Sequence, residues 1–261
     1  MRPVDRPPWR PEWAALGAGE AAAIALGHYC SACELPLPHI RIGWHPDTGE
    51  VVTGPVRPTE WDGLLVLCRH CAHAATGQGH RGSPLLPDRD PTFAFGPAAP
   101  FSYRRDGDEV HVVPNGERAA DTVRLFGLNT RLLVDPVLRG TRSERHRREF
   151  AEFDDPRLPL RTAAWDHARQ AVELYARMPG ERDREHWAVL LADVVQGRGF
   201  WSVWAAVLGA SDVDESLVAA VLAVPHRSTV DEDVAGAPPA AEYPFPATRL
   251  VWPPAEHREQ V

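Results

Sequence analysis

The sequence predicts an α+β fold, with a small strand-bearing module in its first half and an α-helical domain in its second. Three observations carry the prediction. Cys30, Cys33, Cys68 and Cys71 make two Cys-x-x-Cys knuckles in the first third of the chain. Around and after them, apolar and polar residues alternate as they do in half-buried strands. From about residue 117 the apolar spacing becomes helical. The boundaries read as 1–115 for the first module with its N-terminal arm, 116–225 for the helical domain, and 226–261 for a Pro-rich irregular tail.

Residues 1–12 read as an extended arm and 13–28 as an alanine-rich helix leading into the first knuckle. HIRIGWHPDTGEVVTGP (39–55) alternates about Pro46-Asp47-Thr48-Gly49, a turn signal, and so predicts a β-hairpin. WDGLLVLCRHC (61–71) predicts a short buried strand running into the second knuckle, with a helix after it that Gly77 and Gly79 would end. Beyond the proline-broken loop 81–91, TFAF (92–95) and FSYRRDGDEVHVV (101–113) predict strands, the second folded at Asp106-Gly107. ERAADTVRLFGL (117–128) carries Ala120, Val123, Leu125 and Phe126 at helical spacing and stops near Gly127. In 162–178, Trp165, Ala168, Val172 and Tyr175 share a face, and Pro179-Gly180 ends the helix. In 183–196, Trp187, Leu190, Leu191, Val194 and Val195 do the same. GFWSVWAAVLGA (199–210) and 212–224 complete the layer. Phe200, Trp201 and Trp204, with Trp165 and Trp187, read as packing between these helices; an exposed subset would form a docking face.

The net charge of −8 gives no general attraction for nucleic acid. Any such contact needs a local patch, and RGTRSERHRREF (139–150) offers one. Arg139, Arg142, Arg145, Arg147 and Arg148 would meet phosphates bidentately if they shared a helix face. Glu144 and Glu149 support the plainer reading, a solvated helix with internal ion pairs. Lysine is absent, so all 28 Lys-plus-Arg residues are arginine. Codon bias toward Arg, Ala, Pro and Gly accounts for this; avoidance of lysine modification is the other reading. The N-terminal residues have no apolar signal core. Residues 13–30 contain Glu20 and are too interrupted to span a bilayer. The expectation is a cytoplasmic protein with no membrane partner.

In a reducing compartment, four cysteines in two close pairs point to a metal rather than to disulfides. Tetrahedral zinc takes two sulfurs from each of two tight turns, and four thiolates leave no place for water. Such a site is structural, its binding energy serving as folding energy. A redox dithiol or an iron–sulfur cluster has no other support in the residues.

Two knuckles with a hairpin between them and a helix after them are the frame of the ββα-metal (HNH) nucleases. LGHYCSACELPLP, EWDGLLVLCRHCAHA, LLPDRDPTFAFGPAAPFSYRRDGDEVHVVP, ADTVRLFGLN and GFWSVWAAVL, in that order, resemble a group of bacterial HNH endonuclease-like proteins. That group includes the partners of ATPases in Septu-type anti-phage systems. The opening MRPVDRPPWRP is similar too, so the resemblance runs to about residue 210. It implies metal-dependent phosphodiester hydrolysis: a hairpin histidine as base, one Mg²⁺ or Mn²⁺ ion on the leaving oxygen, and an asparagine that orients the base-bearing loop. The chain departs at each place. Gly43 stands where the base would be, Gly63 where the asparagine would be, and Ala72 and Ala75 follow the second knuckle.

A shift of two along a strand keeps a side chain on the same face, so His45, Asp62 and His73 make the candidate shifted site. His39, His70 and His80 lie nearby. The expectation is therefore an HNH-like zinc protein with a degenerate catalytic motif, acting as a DNA-binding or adaptor subunit, with an ATPase as one candidate partner. An active phage-defence endonuclease using the shifted histidines is the second reading. Recruitment of the fold to small-molecule or peptide biosynthesis is the third.

Overall fold

The computed structural model describes residues 1, 6–38, 40–77, 82–94, 98–131 and 155–222. The protein is α+β. After a 3-10 turn (Pro11–Ala15) come α1 (Ala18–Leu26), β1 (Ile42–His45), β2 (Glu50–Val52), α2 (Pro58–Trp61), β3 (Leu65–Leu67) and α3 (Arg69–Gly77). A second hairpin, β4 (Phe101–Asp106) and β5 (Glu109–Pro114), leads to α4 (Glu117–Leu125). Among the described residues, four further helices follow: α5 (Arg157–Ala176), α6 (Glu181–Arg198), α7 (Trp201–Gly209) and α8 (Glu215–Leu222). None of the described helices is long and apolar enough to cross a membrane.

The first sheet has the order β2-β1-β3, antiparallel throughout. Its hairpin turns at 46–49, with Gly49 at a φ of 71°. α1 lies across β1 and β3, and two glycines set how close it comes. A Cβ on Gly19 would stand 2.0 Å from the Arg41 carbonyl oxygen, and one on Gly43 would stand 2.8 Å from Ala18 Cβ. Helix and strand meet backbone to backbone there. Trp44, Leu65, Val66 and Leu67 of this sheet are all essentially without solvent contact.

The second hairpin turns at Asp106-Gly107, with Gly107 at a φ of 59°. α5 packs on β5 and on α7, and α6 packs on α8. One continuous apolar cluster includes Trp44 and Leu65 from the first sheet, Cys30 and Cys68 from the knuckles, and Trp187, Trp201 and Trp204 from the last helices. Phe93 meets Trp201 edge-on at 5.0 Å, and Tyr175 meets Trp187 at 5.2 Å. Trp187, Phe200, Trp201 and Trp204 are core, as their spacing indicates, whereas Trp165 packs half-buried against it.

Two expectations are corrected. Residues 92–94 of TFAF are not a strand: Thr92 is fully buried and Phe93 is committed to Trp201, so this segment serves as packing rather than pairing. On α6 the core takes Trp187, Ala188, Leu191, Ala192 and Val195, whereas Leu190 and Val194 face outward at 67% and 40% exposure. Five apolar positions in nine residues span more than one helix face, and α5, α7 and α8 cover only one of them.

Candidate metal centre

The first knuckle is a tight loop sewn to a strand. Cys30 N–H donates to the Leu35 carbonyl (2.9 Å) and Glu34 N–H to the Cys30 carbonyl (2.8 Å), closing the loop. Ser31 then bonds Val66 of β3 twice: its N–H donates to the Val66 carbonyl (2.8 Å), and its Oγ accepts the Val66 N–H (3.3 Å). Two residues after Val66 comes Cys68. The pairing that anchors the first knuckle therefore also delivers the second. Cys71 sits in the first turn of α3, and its N–H points at Cys68 Sγ (3.4 Å). A helix N-terminus presenting amides to sulfur favours the thiolate.

The result is one cluster. Cys30, Cys33, Cys68 and Cys71 are buried, unbridged, and have their sulfurs within 4.8 Å of one another. Cys33 Sγ and Cys68 Sγ are 3.8 Å apart. A tetrahedron with Zn–S bonds of about 2.3 Å has edges of about 3.8 Å, so the donor set fits a thiolate metal such as zinc. Four sulfurs complete that sphere.

In the protein chain alone, burial pushes the Cys33 thiol well up, and hydrogen bonds from the other thiols add to it. Cys68 is also pushed up, first by its hydrogen bond with Cys30. Burial works against the Cys30 thiolate, but hydrogen bonds from Cys33, Cys68 and Cys71 outweigh it, so Cys30 is pulled down. One thiolate shared among thiols is the state a divalent cation would replace.

A residue that sequence reasoning missed stands behind the sulfurs. Arg157, at the start of α5, is 1% exposed and donates through Nη1 to Cys71 Sγ (3.4 Å) and to the Phe126 carbonyl (2.7 Å). Nη2 reaches the Thr130 carbonyl (3.1 Å) and Asp155 Oδ2 (2.6 Å), and Nε also bonds the Asp155 carboxylate. Burial opposes its charge, but Asp155 and then the nearby Cys71 and Cys33 more than offset this and raise its proton affinity. A metal with four thiolates carries a net negative charge. An arginine hydrogen-bonded to one sulfur compensates part of it, as outer partners of metal ligands do. The signal was faint in the sequence: Asp-x-Arg lies 86 positions beyond the cysteine it serves.

The candidate catalytic residues do not converge in this way. Among the described residues, the four cysteines are the one group of three or more His, Cys, Asp or Glu side chains placed to share an ion. His45 ends β1, with Nδ1 3.9 Å from the Asp47 carboxylate; Arg89 holds that carboxylate at 2.9 and 3.3 Å. The imidazole lies over Gly63, where a Cβ would come within 2.6 Å of His45 Nε2. Asp62 is exposed, and its carbonyl accepts from Arg89 (3.4 Å). His73 is exposed on α3. Gly43 lies under α1, so no side chain fits there without moving Ala18. Ala72 and Ala75 are buried at 3% and 2%, in apolar surroundings. His39, His80, Arg139, Arg142, Arg145, Arg147 and Arg148 lie outside the described residues.

Comparison with protein-family models, with curated proteins and with solved structures finds no match for this chain.

Proposed function

We propose that this chain is an HNH-like protein whose catalytic positions have been filled by packing, and that it acts as an adaptor or scaffold subunit built around a structural zinc ion. The observation that carries the reading is the closed set of four buried sulfurs, which satisfies tetrahedral zinc and leaves no position for a water or a substrate oxygen. The glycine and alanine positions agree with it. Gly43 is needed for the approach of α1, and Ala72 and Ala75 are committed to the core. Nucleic-acid binding through Arg139, Arg142, Arg145 and Arg148 belongs to the same reading and rests on the arginine run of 139–150; partnership with an ATPase rests on the sequence resemblance.

The experiment has two parts. Metal analysis of the purified chain should return one zinc per chain, unchanged in His45→Ala. Supercoiled and single-stranded DNA incubated with the protein in Mg²⁺, Mn²⁺ or Ni²⁺ should stay intact. Cleavage that disappears in His45→Ala or His73→Ala would overturn the adaptor reading in favour of an active endonuclease with a shifted site.

A further inference from the structure

α6 turns one face to the core and leaves a second uncovered among the described residues. Val189 is 57% exposed and, with Leu190 and Val194, makes the apolar part of that second face. On an α-helix, positions three and four apart share a face. Arg182, His186, Val189, Asp193 and Gly197 keep that spacing and are all exposed, so they run along one side of α6 with Leu190 and Val194 beside them. Single exposed leucines and valines are ordinary on a protein surface, whereas an apolar group rimmed by polar residues on one helix marks a contact surface.

The polar residues of this face make it complementary to itself. Arg182 and His186 lie on the N-terminal side of Val189 and Leu190, and Asp193 and Gly197 lie on the C-terminal side. A second copy laid antiparallel, with a two-fold axis between Val189 and Leu190, sets Val189 against Leu190 of the second copy, His186 against its Asp193 and Arg182 against its Gly197. The symmetry makes each contact twice. An imidazole N–H donates to the carboxylate. The arginine arrives at the carbonyl end of the facing helix, where a cation is favoured. It finds room there, because a Cβ on Gly197 would meet nothing within 4 Å. Among the described residues, Arg182, His186 and Asp193 form no ion pair, which leaves their donors and acceptors to the second copy. A parallel pairing would instead set Asp193 on Asp193 and Arg182 on Arg182, and like charges face to face oppose it.

We propose that this face of α6 is the contact between two copies of the chain, packed antiparallel about Val189 and Leu190. The apolar centre supplies the burial, and the His186–Asp193 and Arg182 contacts at its two ends fix the register. A single helix pair is smaller than the standard interface of about 1,600 Å², so the dimer belongs to the weak, exchanging class.

Analytical ultracentrifugation of the full chain, purified with zinc present, tests this between about 1 μM and about 1 mM, the range of weak specific association. The wild type should pass from monomer to dimer and stop there, because an isologous contact closes on itself. Leu190→Asp puts a charge in the apolar centre on a side chain that faces away from the core. It should match the wild type in circular dichroism and stay monomeric. His186→Asp sets carboxylates face to face and should weaken the dimer about tenfold or more. Combining it with Asp193→His exchanges the two groups and should restore most of the loss. A wild type that stays monomeric throughout overturns the proposal, and the face then takes a different chain or a segment outside the described residues. A dimer that survives Leu190→Asp, or growth beyond a dimer, overturns this face as the contact. A dimer indifferent to His186→Asp, or one that the exchange does not restore, overturns the antiparallel register.

Discussion

Arg157 is the residue that ties the cysteine cluster to the helical half. It gives one hydrogen bond to a ligand sulfur and two to carbonyls that close the segment after α4, and it is paired with a buried carboxylate. Removing one partner of such a pair leaves the other charge buried, at a cost of about 3–5 kcal/mol. Arg157→Met is therefore expected to lose stability on that scale by urea denaturation, and to release its metal to a chelator faster than wild type. Arg157→Lys keeps the charge but cannot serve four acceptors in a plane, so it should recover only part of the loss. A variant as stable and as metal-retentive as wild type would show that the sulfur contact is incidental.

A second residue-scale prediction concerns pH. Burial, and then Arg41, hold His28 below the ordinary imidazole range. Its folded-state proton affinity is thus lower than its unfolded one, and stability is present above the unfolded pKa of about 6.5. It is lost as the pH falls from there toward the folded value, where the unfolded chain takes up a proton that the fold resists. His28→Gln should flatten the stability profile on this acidic side. An unchanged slope would count against the assignment.

At the scale of elements, the junction of α1 with β1 decides what the first sheet can host. Gly43→Ala must push against Ala18 Cβ at 2.8 Å and the Gly19 backbone nitrogen at 3.1 Å, neither of which has a flexible end to move. Overpacking of this kind costs about 1–3 kcal/mol, and Gly43→His, with a larger side chain at the same place, should cost more. Gly63→Ala differs, because its neighbours are the ends of the His45 and Arg89 side chains. Thermal melts should show a clear drop for Gly43→Ala and a small one for Gly63→Ala that His45→Ala relieves. The reverse order would mean that α1 is not locked on the strand.

The same junction shows what could be read beforehand. The hairpin at Pro46–Gly49, the strand before Cys68 and the cysteine cluster follow from local turn chemistry and spacing, and the structure bears them out. The closure over Gly43 did not, because it depends on Gly19 approaching the Arg41 carbonyl across the fold. Arg157 was unreadable for the same reason. It acts on a partner far away in the sequence and belongs to no periodic pattern. Leu190 and Val194 were misplaced because an apolar helix with more than one greasy face does not say which face its neighbours take.

For the whole molecule, the cysteine cluster joins parts of the core that come from distant stretches of chain. Cys30 and Cys33 lie on a loop fixed to β3, Cys71 begins α3, and Arg157 ties that sulfur to α5. The end of the first knuckle also abuts the α6–α7 turn, where Phe200 N–H donates to the Glu34 carbonyl (3.2 Å) and a Cβ on Gly199 would lie 2.5 Å from it. Metal removal should therefore loosen both halves in one step. Near-UV signals from Trp44 in the first sheet and from Trp201 and Trp204 in the last helices should decay together as a chelator is added. Loading should also be coupled to protons with a definite sign. Cys33 and Cys68 hold their protons above the ordinary thiol range in the metal-free fold, and both must lose them to become ligands. Calorimetric titration of zinc in buffers of different ionisation heat should thus report release of at least about two protons per metal near neutral pH, with affinity falling as the pH is lowered. Release of less than one would mean that the sulfurs are not the ligands. Independent decay of the two tryptophan groups would mean that the metal holds only the first module.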